Sequence, residues 1–259
     1  MKKILRTLCT GLVAATSLTG FAQTQNVTNK LVNADMEMGI MGWDVVFADD
    51  NWHVTRHDQS SEPEYHGINS RNIEVWRYNN GPMTDNSVSQ TVKNLPNGTY
   101  VFGAYIVACS DNEDLAAEKD LIEGVYLFAN SDSVSVGTNR PGKKREIWDH
   151  SAKFNVATTV TDGTLTVGMF ARSTNANYTL MDNATLYYFG EKEPAAALDE
   201  MAKIDIAHTI AIADTCLAHK MNADTLAYLK EQVALGKQLT TAAQLYDTTN
   251  SFTGVSVKQ

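Results

Sequence analysis

The stretch Tyr100-Val101-Phe102-Gly103-Ala104-Tyr105-Ile106-Val107 has no polar side. Residues two apart share a face of a strand. Tyr100, Phe102, Ala104 and Ile106 make one face, and Val101, Gly103, Tyr105 and Val107 the other. Both are largely apolar, so the stretch reads as a central strand buried on both sides. Leu95-Pro96-Asn97-Gly98 just ahead of it reads as a turn. The same logic predicts strands near 73–78, 86–93, 125–130, 152–157, 164–171 and 182–189. Asp162-Gly163 is expected to join two of them as a hairpin. Many short strands between Gly, Asn and Asp turns predict an antiparallel β-sandwich spanning residues 23–190. The acidic run Ser110-Asp111-Asn112-Glu113-Asp114 reads as an exposed loop.

After Gly190 the composition changes. Glu191-Lys192-Glu193-Pro194 is a polar linker with proline at a helix start. Leu198, Met201, Ile204 and Ile212 then recur at near-helical spacing. Asn222 reads as the N-cap of a second helix carrying Leu226, Leu229 and Val233. Thr240 is placed to cap a third, with Leu245 and Phe252 on one face. The fold class is therefore mainly β: a sandwich followed by a small helical hairpin or three-helix bundle over 191–259.

The first 22 residues stand apart. Lys2, Lys3 and Arg6 precede an apolar stretch through Leu12, Val13, Ala14, Ala15 and Leu18, and Gly20-Phe21-Ala22 follows. This is the pattern of a secretory signal peptide, residues 1–22, and the apolar run is too short for a bilayer span. The expected location is secreted, periplasmic or cell-surface. Cys109 and Cys216 then remain. Export permits a disulfide between them, but one follows a predicted strand and the other sits in a predicted helix, so two buried free thiols are expected. The formal charge is −9, and removing the basic leader makes it more negative. An acidic chain gains nothing from a phosphate backbone or an anionic lipid surface.

Sugar recognition needs flat apolar rings beside convergent polar groups. Residues 49–80 are the richest such segment, with Trp52, His53, Arg56, His57, Tyr65, His66, Arg71, Trp76, Arg77 and Tyr78. Trp148, beside Arg145, Asp149 and His150, is a second candidate. Trp43, Trp52 and Trp76 are also ordinary core residues by type. In Glu74-Val75-Trp76-Arg77-Tyr78 either Val75 or Trp76 faces the core, and sequence leaves that open. Other chemistries find no support: there is no Gly-x-Ser-x-Gly elbow, His-Glu-x-x-His, P-loop or dinucleotide fingerprint. His53 and His57 are four apart, but Val54-Thr55 between them favours a loop or strand over a helical metal pair.

Three further motifs occur in a fixed order. Leu31-Val32-Asn33-Ala34-Asp35-Met36-Glu37 leads to Gly42-Trp43. Ser89-Gln90-Thr91-Val92 leads to Leu95-Pro96-Asn97-Gly98-Thr99-Tyr100. Asp182-Asn183-Ala184-Thr185-Leu186 follows. Together they resemble a galactose-binding-like jelly roll over residues 31–190, with a short first strand, a central hairpin and a closing strand. That domain is similar to bacterial carbohydrate-binding modules. The helical tail resembles the small helical modules found beside them. The resemblance implies a noncatalytic, secreted module or accessory protein of a glycan-using system, with a saccharide or polysaccharide as partner. It also implies a structural calcium ion on Glu37 and Asp182, a donor set that suits a hard cation. The other reading is a structural or protein-interaction sandwich without a sugar site, whose helical part contacts a protein partner.

Overall fold

The computed structural model describes residues 24–47, 52–56, 72–77, 81–109, 122–136, 152–239, 241 and 244. The strands are β1 Gln25–Asn26, β2 Asp44–Phe47, β3 Trp52–Arg56, β4 Ile73–Arg77, β5 Asn86–Val92, β6 Gly98–Cys109, β7 Val125–Ala129, β8 Asp132–Ser135, β9 Ala152–Val160, β10 Leu165–Ala171 and β11 Tyr178–Tyr188. Two helices follow, α1 Pro194–Leu217 and α2 Ala223–Gly236. One sheet runs β3-β4-β11-β6-β9, with β1 added beside β11. The other runs β2-β5-β10-β7-β8. All pairings are antiparallel.

Strand β6 lies inside the first sheet, between β11 and β9, as its apolar composition requires. Tyr100, Phe102, Ala104 and Ile106 point into the core between the sheets. There they meet Val88, Leu127, Val167, Met169 and Leu165 from the second sheet. Its other face is buried too. Val101 sits under α1 with Ala157 and Phe189, against Ala197 and Met201. Val107 packs with Tyr178 and Leu180 in a separate small cluster. The helices thus share a core with the sandwich, and polar groups fix the register. Asp205 on α1 accepts from Lys153 Nζ at 2.5 Å and Asn155 Nδ2 at 2.7 Å. Burial, and then the Asp205 charge, hold the Tyr105 and Tyr187 hydroxyls above their usual pKa. Asn222 caps α2, its Oδ1 accepting from Thr225 N at 2.8 Å. The expected third helix, from Thr240, falls outside the described residues apart from 241 and 244.

Three expectations need correction. The Asp162-Gly163 turn joins no hairpin: β9 before it and β10 after it lie in different sheets. The same holds for Leu95-Pro96-Asn97-Gly98, which carries the chain from β5 in the second sheet to β6 in the first. Both turns arch across the end of the sandwich, and they bond to each other through Leu95 N and Gly163 O at 3.0 Å. Glu37 is not on a strand. The segment 33–42 is a run of turns, with positive φ at Asn33, Met36, Gly39 and Gly42. The Asn33 side chain ties these turns together, donating to Gly39 O and accepting from Met38 N. Nor are both thiols buried: Cys216 is free and exposed. The Cys109 side chain lies outside the described residues.

Gly98 ends the first arch at a φ of 140°. A Cβ there would stand 2.5 Å from the Gly190 carbonyl oxygen and 2.8 Å from the Tyr188 ring. Gly98→Ala should therefore cost roughly 1–3 kcal/mol in urea-melt stability. An unchanged melt would show that the arch relaxes freely.

Candidate functional site

Of the segment 49–80, the described strands β3 and β4 lie at one margin of the first sheet. Val75 is in the core between the sheets, so Trp76 faces outward. Trp76 is half-buried against Val107, Tyr178 and Leu180, and Tyr178 Oη donates to Glu74 Oε1 at 2.6 Å beside it. Its neighbour Arg77 is half-buried and donates from Nη1 to Pro82 O at 2.8 Å. Trp52 and His53 belong to strand β3, in register with Arg77 and Trp76 respectively. That settles loop or strand for this stretch in favour of strand. Tyr78 and Trp148 lie outside the described residues. Trp43 is core, 5% exposed, and its indole donates to Asn33 O at 3.2 Å.

A second aromatic surface lies on the other sheet. On the second sheet Val125, Leu127 and Ala129 of β7 face the core, and so do Leu165, Val167 and Met169 of β10. The intervening residues face outward: Tyr126 and Phe128 from β7, Phe170 from β10. All three rings are half-buried. Tyr126 stacks on Phe170 with ring centroids 4.8 Å apart, and Phe128 meets Phe170 at 5.6 Å. The next strand, β5, carries Ser87, Ser89 and Thr91 on this face. Register sets Phe170 beside Ser87, Gly168 beside Ser89 and Thr166 beside Thr91. Beyond β5, the edge strand β2 presents Val46 opposite Ser87 and Asp44 opposite Ser89. Val46 is 60% exposed.

The result is a shallow groove over β5. Its floor is hydroxylated and its walls are Val46 on one side and Phe170 on the other. Strands two apart stand about 10 Å from each other, so the walls are spaced for one flat ring between them. At the Phe170 end a depression of about 250 Å3 is lined by Val46, Phe47, Asp85, Asn86, Phe170 and Arg172, among others. The Arg172 guanidinium lies over the Phe170 ring, 5.6 Å from its centroid. Asp85 accepts from Ser173 N at 3.1 Å. Gly168 leaves a gap in the ring row because the Val88 carbonyl oxygen lies 2.0 Å from where its Cβ would stand. The sequence carried a signal for this face. In Val125-Tyr126-Leu127-Phe128-Ala129 the aliphatic and aromatic residues alternate strictly, one set for each face.

The two carboxylates implied for calcium do come near each other. Asp182 sits at a break in the register of β11, where Ala184 N donates to Ala34 O of the turn segment. Asp182 is 4% exposed. Burial, with the charges of Glu37 and Asp35, pushes its carboxyl up to about 7 against the opposing hydrogen bond from Asn183 N. A buried carboxyl crowded by like charges fits a hard cation, which would relieve both costs. The described residues form no ready cluster of three or more metal-holding side chains. Carbonyl oxygens of the 33–42 turns would have to complete the shell.

Several solved structures are similar to part of this chain. TmCBM61 in complex with beta-1,4-galactotriose is 17% identical, with a TM-score of 0.41, and the match covers 63% of this chain and 99% of that one. A Family 16 Carbohydrate Binding Module-2 is 17% identical, with a TM-score of 0.38, covering 61% and 99%. A cyclase from Fischerella sp. TAU is 13% identical, with a TM-score of 0.44, covering 66% and 100%. No protein-family model and no curated protein matches the chain. No helix among the described residues is long and apolar enough to cross a membrane.

Asp182 makes stability depend on pH. Its folded pKa lies above the unfolded value, so between about 4 and 7 the folded chain binds more protons. Stability should fall as pH rises through that window in metal-free protein, by up to about 4 kcal/mol. Asp182→Asn should flatten this part of the profile, read by urea melts from pH 4 to 8 with chelator present. A profile identical to wild type would remove the assignment.

Proposed function

We propose that this chain is a secreted, noncatalytic sugar-binding module or accessory protein of a glycan-using system, and that its binding face is the outer surface of the second sheet. The observation that carries the reading is the row of half-buried rings, Tyr126, Phe128 and Phe170, standing beside a hydroxylated strand and an open groove. A pyranose has one face of C–H groups and a rim of hydroxyls. The C–H face prefers an aromatic wall such as Phe170. The rim exchanges water hydrogen bonds for those of Ser87, Ser89, Thr91 and Asp44, at small net gain. Affinity is accordingly modest for one site. Trp76, packed against Val107, Tyr178 and Leu180 on the first sheet, takes the lesser role in this reading.

A calcium ion on Asp182 and Glu37 belongs to the same proposal, as a structural clamp. Bound there, it would neutralise charge and hold the 33–42 turns to the break in β11. The 33–42 turns lead directly into β2 and accept from Gln90 of β5 through Gly42 O.

A second reading rests on the helices. Ile212 on α1 and Tyr228 and Leu235 on α2 are large, apolar and exposed. Tyr228 and Leu235 are seven apart and so share one stripe of α2. This stripe suits a protein partner, and it is compatible with a sugar site on the opposite side of the sandwich.

Phe170→Ala should weaken binding of a neutral oligosaccharide by about tenfold while the fold survives, measured by calorimetry beside circular dichroism. Trp76→Ala should change it much less. The reverse ranking would move the site to the first sheet. Calcium added to chelator-stripped protein should raise the melting temperature by binding the folded state, and Asp182→Ala should abolish that response. No thermal shift in wild type would remove the ion.

A further inference from the structure

Asn72 is 0% exposed, yet neither Nδ2 nor Oδ1 of its side chain has a hydrogen-bond partner. No other side chain among the described residues leaves two such atoms. Burying one polar atom without a partner is unfavourable, and an amide left alone at both ends doubly so. Its place in the sheet points to the ligand it serves. Asn72 directly precedes β4. Ile73 pairs with Met181 of β11, and Ile73, Val75 and Met181 all face the core between the sheets. One step further along the same register, Asn72 stands beside Asp182. Alternation then puts both on the opposite face, the one that carries Glu74 on β4 and Tyr178 and Leu180 on β11. Residues directly opposed in an antiparallel pair hold their Cβ atoms about 5 Å apart. Glu37 and Asp35 come near enough to the same carboxyl for their charges to act on it.

We propose, resting on the calcium reading above, that Asn72 Oδ1 is a third side-chain ligand of the ion held by Asp182 and Glu37. Calcium takes roughly six to eight oxygens, and amide carbonyls serve it alongside carboxylates. Two carboxylates leave room in that shell for an amide oxygen as well as carbonyls of the 33–42 turns. A neutral ligand also suits the position, because Asp182, Glu37 and Asp35 already crowd one another with like charge. A dehydrated calcium ion is smaller than a water molecule, so the oxygens around one are shut off from solvent, as Asn72 is. The added ligand changes what the ion joins. Asp182 and Glu37 tie β11 to the turns before β2. Asn72 brings in the start of β4, the strand that bears Trp76 and Arg77.

The test titrates calcium chloride into the chelator-stripped full chain by calorimetry, and follows melting by circular dichroism with chelator and with excess calcium. Asn72→Leu has nearly the same shape and no polar side-chain atom. It should weaken calcium binding by about tenfold or more, the margin that even an outer-shell partner of a metal commands. In chelator it should melt at or above wild type, since it removes two polar atoms that nothing serves. In calcium it should gain less than wild type does. A packing residue gives no such reversal. Asn72→Asp keeps an oxygen in place and adds charge, so it should still bind calcium while melting below wild type in chelator. An Asn72→Leu chain that binds calcium as wild type does overturns the inference and leaves the calcium reading intact. One that loses as much stability in chelator as in calcium also overturns it. If Asn72→Leu does not fold, Asn72→Asp decides alone: retained binding upholds the inference and lost binding overturns it. No calcium binding by wild type overturns the calcium reading itself, and the inference with it.

Discussion

A strand with no polar face has to be covered twice. β6 meets this condition on its inner side with the second sheet and on its outer side with Met201 and Ala197 of α1. Helix α1 is thus a structural requirement of the first sheet. Met201 is 1% exposed and Ala197 is fully buried, and the hydrophobic effect favours keeping both there. The polar contacts of Asp205 with Lys153 and Asn155 add little net energy at a partly exposed site. They fix where along the strands the helix sits, because an unpartnered carboxylate at that depth would be costly.

This arrangement divides the labour between the two sheets. The outer face of the first is occupied by α1 at one end and by the Val107, Tyr178 and Leu180 cluster at the other. The outer face of the second keeps serines and threonines with half-buried rings between them. An apolar residue on an open sheet face gains little from burial, so three aromatic rings in one patch need another reason to be there. The ligand contact proposed above would supply one. The edge strand β2 then has two tasks, since its Val45 and Phe47 border the core while Val46 walls the groove.

How much of this was legible in the sequence depended on whether local pattern or distant contact decided the matter. Seven strands, the central position of β6 and the Asn222 cap follow from periodicity and turn chemistry, which act locally. The arches did not. Asp162-Gly163 obeys the same turn rules whether the next strand pairs with the last or crosses to the other sheet, and only the distant partners of each strand decide. Trp76 was undecidable for a similar reason: Val75 and Trp76 both suit a core. The strand expected around Glu37 failed because Asn33 and Met36 take left-handed backbone that no strand holds, and these residue types do not demand it. The rings of β7 and β10 were within reach, since their alternation with aliphatic residues marks two apolar faces with different tasks. The eye was drawn instead to tryptophans and histidines, which are conspicuous by type.

The crossing arches have a kinetic consequence. Because each carries the chain out of one sheet and into the other, the two strands it joins lie in different sheets. Tyr100 in β6 pairs with Thr158 and with Tyr188, while Ser87 in β5 pairs with Phe170. Neither sheet can be completed from a contiguous stretch of chain, so the loop-closure entropy must be met before most of the ladder bonds form. A sandwich wired in this way assembles slowly and late, and its half-made edges stay open to wrong partners while it does.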